Sequence, residues 1–165
     1  MNFEQFSRDL ADYPPKHILF LALGNERRGD DGAGLLLANL LRDSAPFRRC
    51  RYIFARTNPE NHLQQILDAK PELVVCIDAA HRGLPPGSIE WIDPADLDAC
   101  RSGTHAFSIA LIEKYINFHQ PVPFKYLGIE PMSMELNTRI TPFIMSGIAL
   151  FFANIRQVDT AFVTI

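Results

Sequence analysis

Short, uninterrupted apolar runs constrain the fold of this chain more than any other feature. Residues 17–23 (HILFLAL) and 73–77 (LVVCI) are apolar throughout except for His17. Both runs are far shorter than the roughly 18 residues that indicate a membrane-spanning helix. A strand that is apolar on both faces is typical of a parallel sheet covered by helices on both sides. The sequence therefore predicts buried parallel strands and no membrane insertion.

Helical patterns alternate with these strand patterns along the chain. Such alternation is typical of a mostly parallel sheet with helices on both faces. No repeat, low-complexity tract or linker interrupts the chain. We therefore predict a single three-layer α/β domain over residues 1–165, with a twisted sheet of about five strands. The predicted elements are a short helix or arm within 1–15, strands at 17–23, 51–55, 73–77, about 89–92 and 124–129, and helices at 33–41, 60–69, 106–118 and 142 to about 155.

The predicted helix at 106–118 has an amphipathic pattern. Its side chains Phe107, Leu111, Ile112 and Tyr115 are expected to share one side. We therefore expect that side of the helix to pack against the sheet.

Composition and charge exclude several classes of protein. Hydrophobic residues make up 47% of the chain and charged residues 21%, with a net charge of -3, so neither disorder nor a basic nucleic-acid-binding face is expected. The N-terminus lacks the apolar core of a signal peptide. The three cysteines, Cys50, Cys76 and Cys100, are widely spaced and form no CxxC pair, which favours a reducing compartment. We therefore expect a cytoplasmic protein, and a monomer suits its size.

A glycine-rich, doubly acidic loop, residues 24–34 (GNERRGDDGAG), follows the first predicted strand. Loops of this kind often bind phosphate at a helix N-terminus, but two adjacent carboxylates would repel an anion. An aspartate at a helix start accepts backbone N–H bonds and suits the helix dipole. One aspartate suffices for that role. The residues alone leave open whether Asp30 and Asp31 both cap the helix or one of them is a ligand.

Other polar residues fall at the same predicted edge of the sheet, where ligands bind in open α/β folds. Asp78 follows the run LVVCI and is either a ligand or catalytic group or the start of an Asx turn. His81, three residues later, is a rival ligand. His105 follows the N-cap candidate Thr104, and a helix N-terminus favours the neutral imidazole that a metal requires, although an exposed first-turn histidine is the commoner case.

Together, Asp31, Asp78 and His105 form a set of two carboxylates and one imidazole. Such a set suits a divalent transition ion such as nickel, zinc or iron. The chain lacks the HExxH motif of zinc proteases, as well as GxSxG and GxxxxGK[ST]. It also lacks the GxGxxG motif, so no dinucleotide cofactor is expected. The residues alone predict no more than an α/β domain with an expected metal-binding edge.

Six motifs in order over residues 17–155 resemble the hydrogenase maturation endopeptidases, which remove a C-terminal extension from the large subunit of nickel-iron hydrogenases. The resemblance is closest to the branch that processes the hydrogenase of formate hydrogenlyase. The motifs are GNERRGDDGAG (24–34), TNPENH (57–62), VVCIDAA (74–80), PGSIEWIDPADL (86–97), GTHAFSIALIEKY (103–115) and YLGIEP (126–131).

The resemblance implies a role for each of the candidate residues. Asp31, Asp78 and His105 would be the metal ligands, and Asp31 and Asp78 the catalytic residues. Asp30, with Gly24, Asn25 and Gly32, would support the loop. Parts of the family carry a glutamate where this chain has Asp31, which is one methylene shorter.

The resemblance also implies a substrate. The partner would be the large-subunit precursor of a nickel-iron hydrogenase, and the metal would be the nickel already inserted in it. Zinc or cadmium would be able to occupy the site in vitro.

Two other functions remain open from the sequence. One is a magnesium-dependent phosphohydrolase that uses Asp30, Asp31 and Asp78. The other is a nickel-dependent chaperone that binds the precursor without cleaving it. The first leaves His105 and the motifs after residue 100 unexplained.

Overall fold

Five strands form one sheet in the structure, a computed structural model that describes residues 1–97 and 106–153. The strand order is β2-β1-β3-β5-β4. The first four strands in that order are parallel to one another, and β4 pairs antiparallel with β5. The predicted fold class is therefore confirmed. The strands are β1 (Ile18–Leu23), β2 (Arg51–Arg56), β3 (Leu73–Ala79), β4 (Ile89–Ile92) and β5 (Phe124–Ile129).

Helices cover both faces of this sheet. Within the described residues, five α-helices are α1 (Phe3–Asp9), α2 (Ala33–Asp43), α3 (Leu63–Ala69), α4 (Ala106–His119) and α5 (Pro142–Phe152). Short 3₁₀ helices occur at Pro15–His17, Gly29–Gly32, Pro59–His62 and Pro94–Asp96.

Local signals in the sequence set several helix ends. Asn2 caps α1 because its side-chain oxygen accepts a hydrogen bond from the backbone N–H of Gln5 at 2.9 Å. Pro142 occupies the first turn of α5, where its missing N–H costs nothing. Lys70 adopts a left-handed conformation that ends α3.

Alternate residues of the central strands enter two different apolar layers. In β1, Ile18, Phe20 and Ala22 pack with α1, α2 and α5. Leu19, Leu21 and Leu23 pack with α3 and α4 on the other face. This alternation follows from the two-residue period of a strand, and it explains why the run is apolar on both faces. The undivided domain over 1–165 stays a prediction, because residues 98–105 and 154–165 lie outside the described part.

The predicted apolar side of α4 is wrong. Leu111 is 52% exposed and Tyr115 is 44% exposed, whereas Ile109 and Ile116 are buried together with Ile112. The side chain of Phe107 lies outside the described part. The buried stripe therefore has the spacing i, i+3, i+7 from Ile109, which places Leu111 and Tyr115 on the solvent side.

The third strand is longer than predicted. It continues through Ala79, so Asp78 lies inside β3 and pairs with Gly128 of β5. Among the helices that the structure describes, none has the length and apolar character that a bilayer span requires.

Candidate active site at the carboxyl edge of the sheet

Two glycines bring the acidic loop onto the ends of the central strands. Gly24, with φ of +121°, packs so closely that an added Cβ would lie 1.9 Å from the carbonyl oxygen of Asp31. An added Cβ on Gly34, in the first turn of α2, would lie 2.7 Å from the carbonyl oxygen of Leu23 and 3.1 Å from the Cα of Asp78. Asp31 and Asp78 are therefore both placed at the carboxyl edge, where β1 and β3 end.

We expect Gly24→Ala to lower the free energy of unfolding by about 3 kcal/mol, because the new methyl group meets backbone at a positive φ. The matched control is Gly83→Ala, since Gly83 also has a positive φ of +75° but nothing lies within 4 Å of an added Cβ. The control should lose only about 1 kcal/mol. Urea denaturation of both variants measures the difference, and equal losses would contradict the close approach at Gly24.

Asp30 ties the acidic loop to the segment between β5 and α5. Its side chain is fully buried and accepts hydrogen bonds from the backbone N–H of Met132 (2.9 Å), Ser133 (3.1 Å) and Thr141 (2.6 Å). The hydroxyl of Thr141 donates a further bond at 2.9 Å. Asp30 also donates its own backbone N–H to the carbonyl of Ser133. Its carboxylate is thus fully occupied by the protein.

Asp31 has a different environment from its neighbour. It is 3% exposed, yet no described residue donates a hydrogen bond to its carboxylate, and its backbone N–H bonds to the carbonyl of Arg28. Its carboxylate oxygens are not among the buried side-chain atoms that lack a partner, so they reach the surface of this edge, where a cation can approach them. The donor chemistry of Asp31 therefore fits a divalent metal ion.

Asp78 faces the helix that begins directly after His105. Alternate residues of β3 point to opposite faces, and Cys76 belongs to the apolar layer under α3 and α4. Asp78 therefore points to the α4 side, where its Oδ1 accepts the backbone N–H of Ala79 at 2.9 Å. Its side chain is half-buried.

The third predicted ligand, His105, lies outside the described residues, which resume at Ala106, the first residue of α4. Among residues 1–97 and 106–153, no group of three or more histidine, cysteine or acidic side chains is arranged to hold a metal. The convergence of Asp31, Asp78 and His105 thus stays a prediction.

Glu130 is a third buried acidic residue at this edge, and it is not among the site residues predicted from the sequence. It is 5% exposed, and its Oε2 accepts the backbone N–H groups of Arg82 (2.7 Å) and Leu84 (3.2 Å). Its Oε1 lies 3.4 Å from the Nδ1 of His81, the rival ligand. Glu130 thereby holds the connection that follows Asp78. Its place directly after an apolar strand was the available signal, as it was for Asp78.

We expect Glu130→Leu to lower the free energy of unfolding by about 3 kcal/mol, because two backbone donors lose their acceptor. Glu130→Gln is the matched control, since one amide oxygen can accept both bonds, as Oε2 does now. This variant should lose less than about 1 kcal/mol. Thermal or urea unfolding provides the comparison, and an equal loss in both variants would show that the two N–H bonds are not the source of the stability.

Neither cysteine thiol in the described residues is a nucleophile at neutral pH. Burial raises the pKa of Cys50 to about 12, and burial also raises the pKa of Cys76. Both thiols are therefore protonated near pH 7, and the thiolate is the reactive form. Cys100 lies outside the described part.

Comparisons with known proteins agree on one class of enzyme. No family model matches the chain. The hydrogenase 3 maturation protease of Escherichia coli K12 is 39% identical over 79 residues, which are 48% of this chain and 50% of that protein. The match thus spans only about half the length of this curated relative.

Solved structures match a larger part of the chain. The solution structure of the endopeptidase HycI from Escherichia coli is 30% identical, with a TM-score of 0.68, and the match covers 79% of this chain and 83% of that one. The crystal structure of the [NiFe] hydrogenase maturation protease HycI from Thermococcus kodakarensis has a TM-score of 0.74 at 24% identity, covering 87% of this chain and 91% of that one. The second match supports the fold alone.

Proposed function

We propose that this chain, which belongs to the hydrogenase maturation endopeptidase family, removes the C-terminal extension of a nickel-iron hydrogenase large-subunit precursor after nickel has been inserted. The carboxylate of Asp31, which accepts no hydrogen bond from a described residue, is the observation that carries this proposal. It stands at the sheet edge where α/β folds bind their ligands. A cation delivered by the substrate pairs with that carboxylate.

The nickel ion is part of the substrate in this proposal. Asp31, Asp78 and His105 supply only some of its ligands, and the precursor supplies the rest. Oxygen and imidazole donors suit a divalent ion of this kind. A precursor without nickel then lacks the group that these residues recognise, which makes cleavage depend on metal insertion.

The two aspartates also serve the chemistry of peptide hydrolysis. Nickel supplies positive charge that polarises the scissile carbonyl. Asp31 or Asp78 accepts a proton from the attacking water, whose oxygen bonds to the carbonyl carbon. The proton then passes to the leaving amine as the C–N bond breaks. Asp30 takes no part in this transfer, because its oxygens already accept four hydrogen bonds.

The proposal also states where and in what form the protein acts. It acts as a monomer in the cytoplasm, without nucleic acid and without membrane insertion. Zinc or cadmium takes the place of nickel at the same residues when supplied in vitro, since both bind nitrogen and oxygen donors.

Intact-mass measurement tests this function. A cognate precursor is incubated with the protein in its nickel-loaded and its nickel-free form. Loss of the C-terminal peptide from the loaded form alone is the expected result. Binding of the loaded precursor without any change in mass would favour a chaperone, and hydrolysis of phosphate esters with magnesium would favour a phosphohydrolase.

A further inference from the structure

A small cavity lies beside Asp78, between the sheet and α4. Its volume is about 40 Å³. Cys76 and Asp78 line it from β3, Ile92 lines it from β4, and Ile109 lines it from α4. The cavity is therefore on the face of the sheet to which the Asp78 side chain points.

Among the described residues that line the cavity, most side chains are apolar, and the exceptions are Asp78 and the hydroxyl of Tyr126. The hydroxyl of Tyr126, which also lines it, donates to a carboxylate oxygen of Glu113 and is thereby engaged within the protein. The buried thiol of Cys76 behaves as a small hydrophobic group. Away from Asp78, a polar side chain placed against these described residues would lose its water without gaining a hydrogen bond, so this part of the wall favours an apolar occupant.

The volume of the cavity limits the size of that occupant. A single water requires about 10–15 Å³ on this scale, and an apolar cavity of about 150 Å³ holds benzene. A cavity of about 40 Å³ therefore has room for a few carbon atoms and is too small for an aromatic ring. A short aliphatic side chain, such as that of valine, fits this limit.

We propose that this cavity is a specificity subsite that binds one aliphatic side chain of the precursor, from a residue adjoining the bond that is cleaved. The inference rests on the proposed function, because it takes Asp78 as part of the reaction centre. Asp78 lies in the wall of the cavity. Consecutive Cα atoms of a peptide are about 3.8 Å apart. When the carbonyl of the scissile bond is held at Asp78, the side chain of a residue next to that bond is therefore within reach of the cavity.

The first part of the test varies the substrate. Nickel-loaded precursors carry alanine, valine, leucine, phenylalanine or aspartate on one side of the scissile bond at a time, and kcat/KM is measured for each. At one of the two positions, kcat/KM for the valine precursor should exceed kcat/KM for the alanine and aspartate precursors by about tenfold or more. The other position should not show this order. Phenylalanine at the selective position should be cleaved no better than alanine.

The second part varies the cavity. Ile92→Val removes one methyl group from its wall and should raise the leucine-to-valine ratio of kcat/KM by about fourfold. Ile66→Val is the matched control, because Ile66 is buried in the same apolar layer on α3 but does not line the cavity. The control should lose comparable stability and keep the wild-type ratio.

The outcomes separate the subsite from the proposed function. If the wild type cleaves the loaded precursors with no preference at either position, or if Ile92→Val leaves the ratio unchanged, the subsite is refuted and the peptidase function stands. If the wild type cleaves none of them, the function is refuted and the subsite with it. The subsite is supported if the leucine-to-valine ratio of kcat/KM rises in Ile92→Val and keeps its wild-type value in Ile66→Val.

Discussion

An Asp31→Asn variant is expected to lose cleavage of the nickel-loaded precursor by about 10³-fold or more while remaining fully folded. The amide removes a negative charge that is proposed to bind the cation. It also removes one of the two groups that are proposed to accept a proton, and each of these effects is large in enzymes. The free energy of unfolding should change by less than about 1 kcal/mol, because no described residue donates a hydrogen bond to the Asp31 carboxylate and the amide therefore leaves no described donor without its acceptor. Single-turnover cleavage followed by intact mass, together with urea denaturation, measures both quantities.

An Asp30→Asn variant is expected to show the opposite pattern, with a loss of about 3 kcal/mol in the free energy of unfolding. Its Oδ2 accepts three hydrogen bonds and its Oδ1 accepts the fourth, so the amide nitrogen must face donors whichever way the side chain turns. Buried donors that lose their acceptor cost about 1–3 kcal/mol each. Urea denaturation measures this loss, and hydrogen exchange at the amides of Met132, Ser133 and Thr141 should show which bonds have opened.

The Asp30→Asn and Asp31→Asn variants serve as controls for each other, because the same change in side-chain charge and shape is made at adjacent residues. Cleavage by folded Asp30→Asn protein at low temperature should fall much less than cleavage by Asp31→Asn. If both variants lost the same stability, or if Asp31→Asn cleaved normally, the assignment of a structural role to Asp30 and a ligand role to Asp31 would be wrong.

The fold was predictable because its strongest signal is local. The run at 17–23 is apolar on both faces, and only a strand between two layers of helices buries both. The side of α4 that packs against the sheet was not predictable in the same way. Its sequence has apolar residues on several sides, including Leu111 and Tyr115, so periodicity alone does not select the stripe headed by Ile109 that faces the sheet.

The site was predictable only in part, because its decisive contacts are between residues far apart in the chain. Asp30 and Asp31 are chemically identical in the sequence, and the residues that donate to Asp30 lie more than 100 positions later. Glu130 was missed for the same reason, since its donors Arg82 and Leu84 precede it by more than 40 positions. The position of a residue after a buried strand predicts that it lies at this edge of the sheet, but the hydrogen bonds of its side chain are known only from the folded chain.

The central claim is that Asp31, Asp78 and His105 bind one metal ion. A crystal structure with zinc, in which an anomalous difference map locates the metal, tests this claim most directly. We predict one ion bonded by carboxylate oxygens of Asp31 and Asp78 and by a ring nitrogen of His105, each at about 2.0–2.2 Å. Asp30 should keep its bonds to Met132, Ser133 and Thr141 and should not touch the metal. An ion held by Asp30 or His81 in place of these ligands, or carboxylates of Asp31 and Asp78 too far apart to share one ion, would contradict the account.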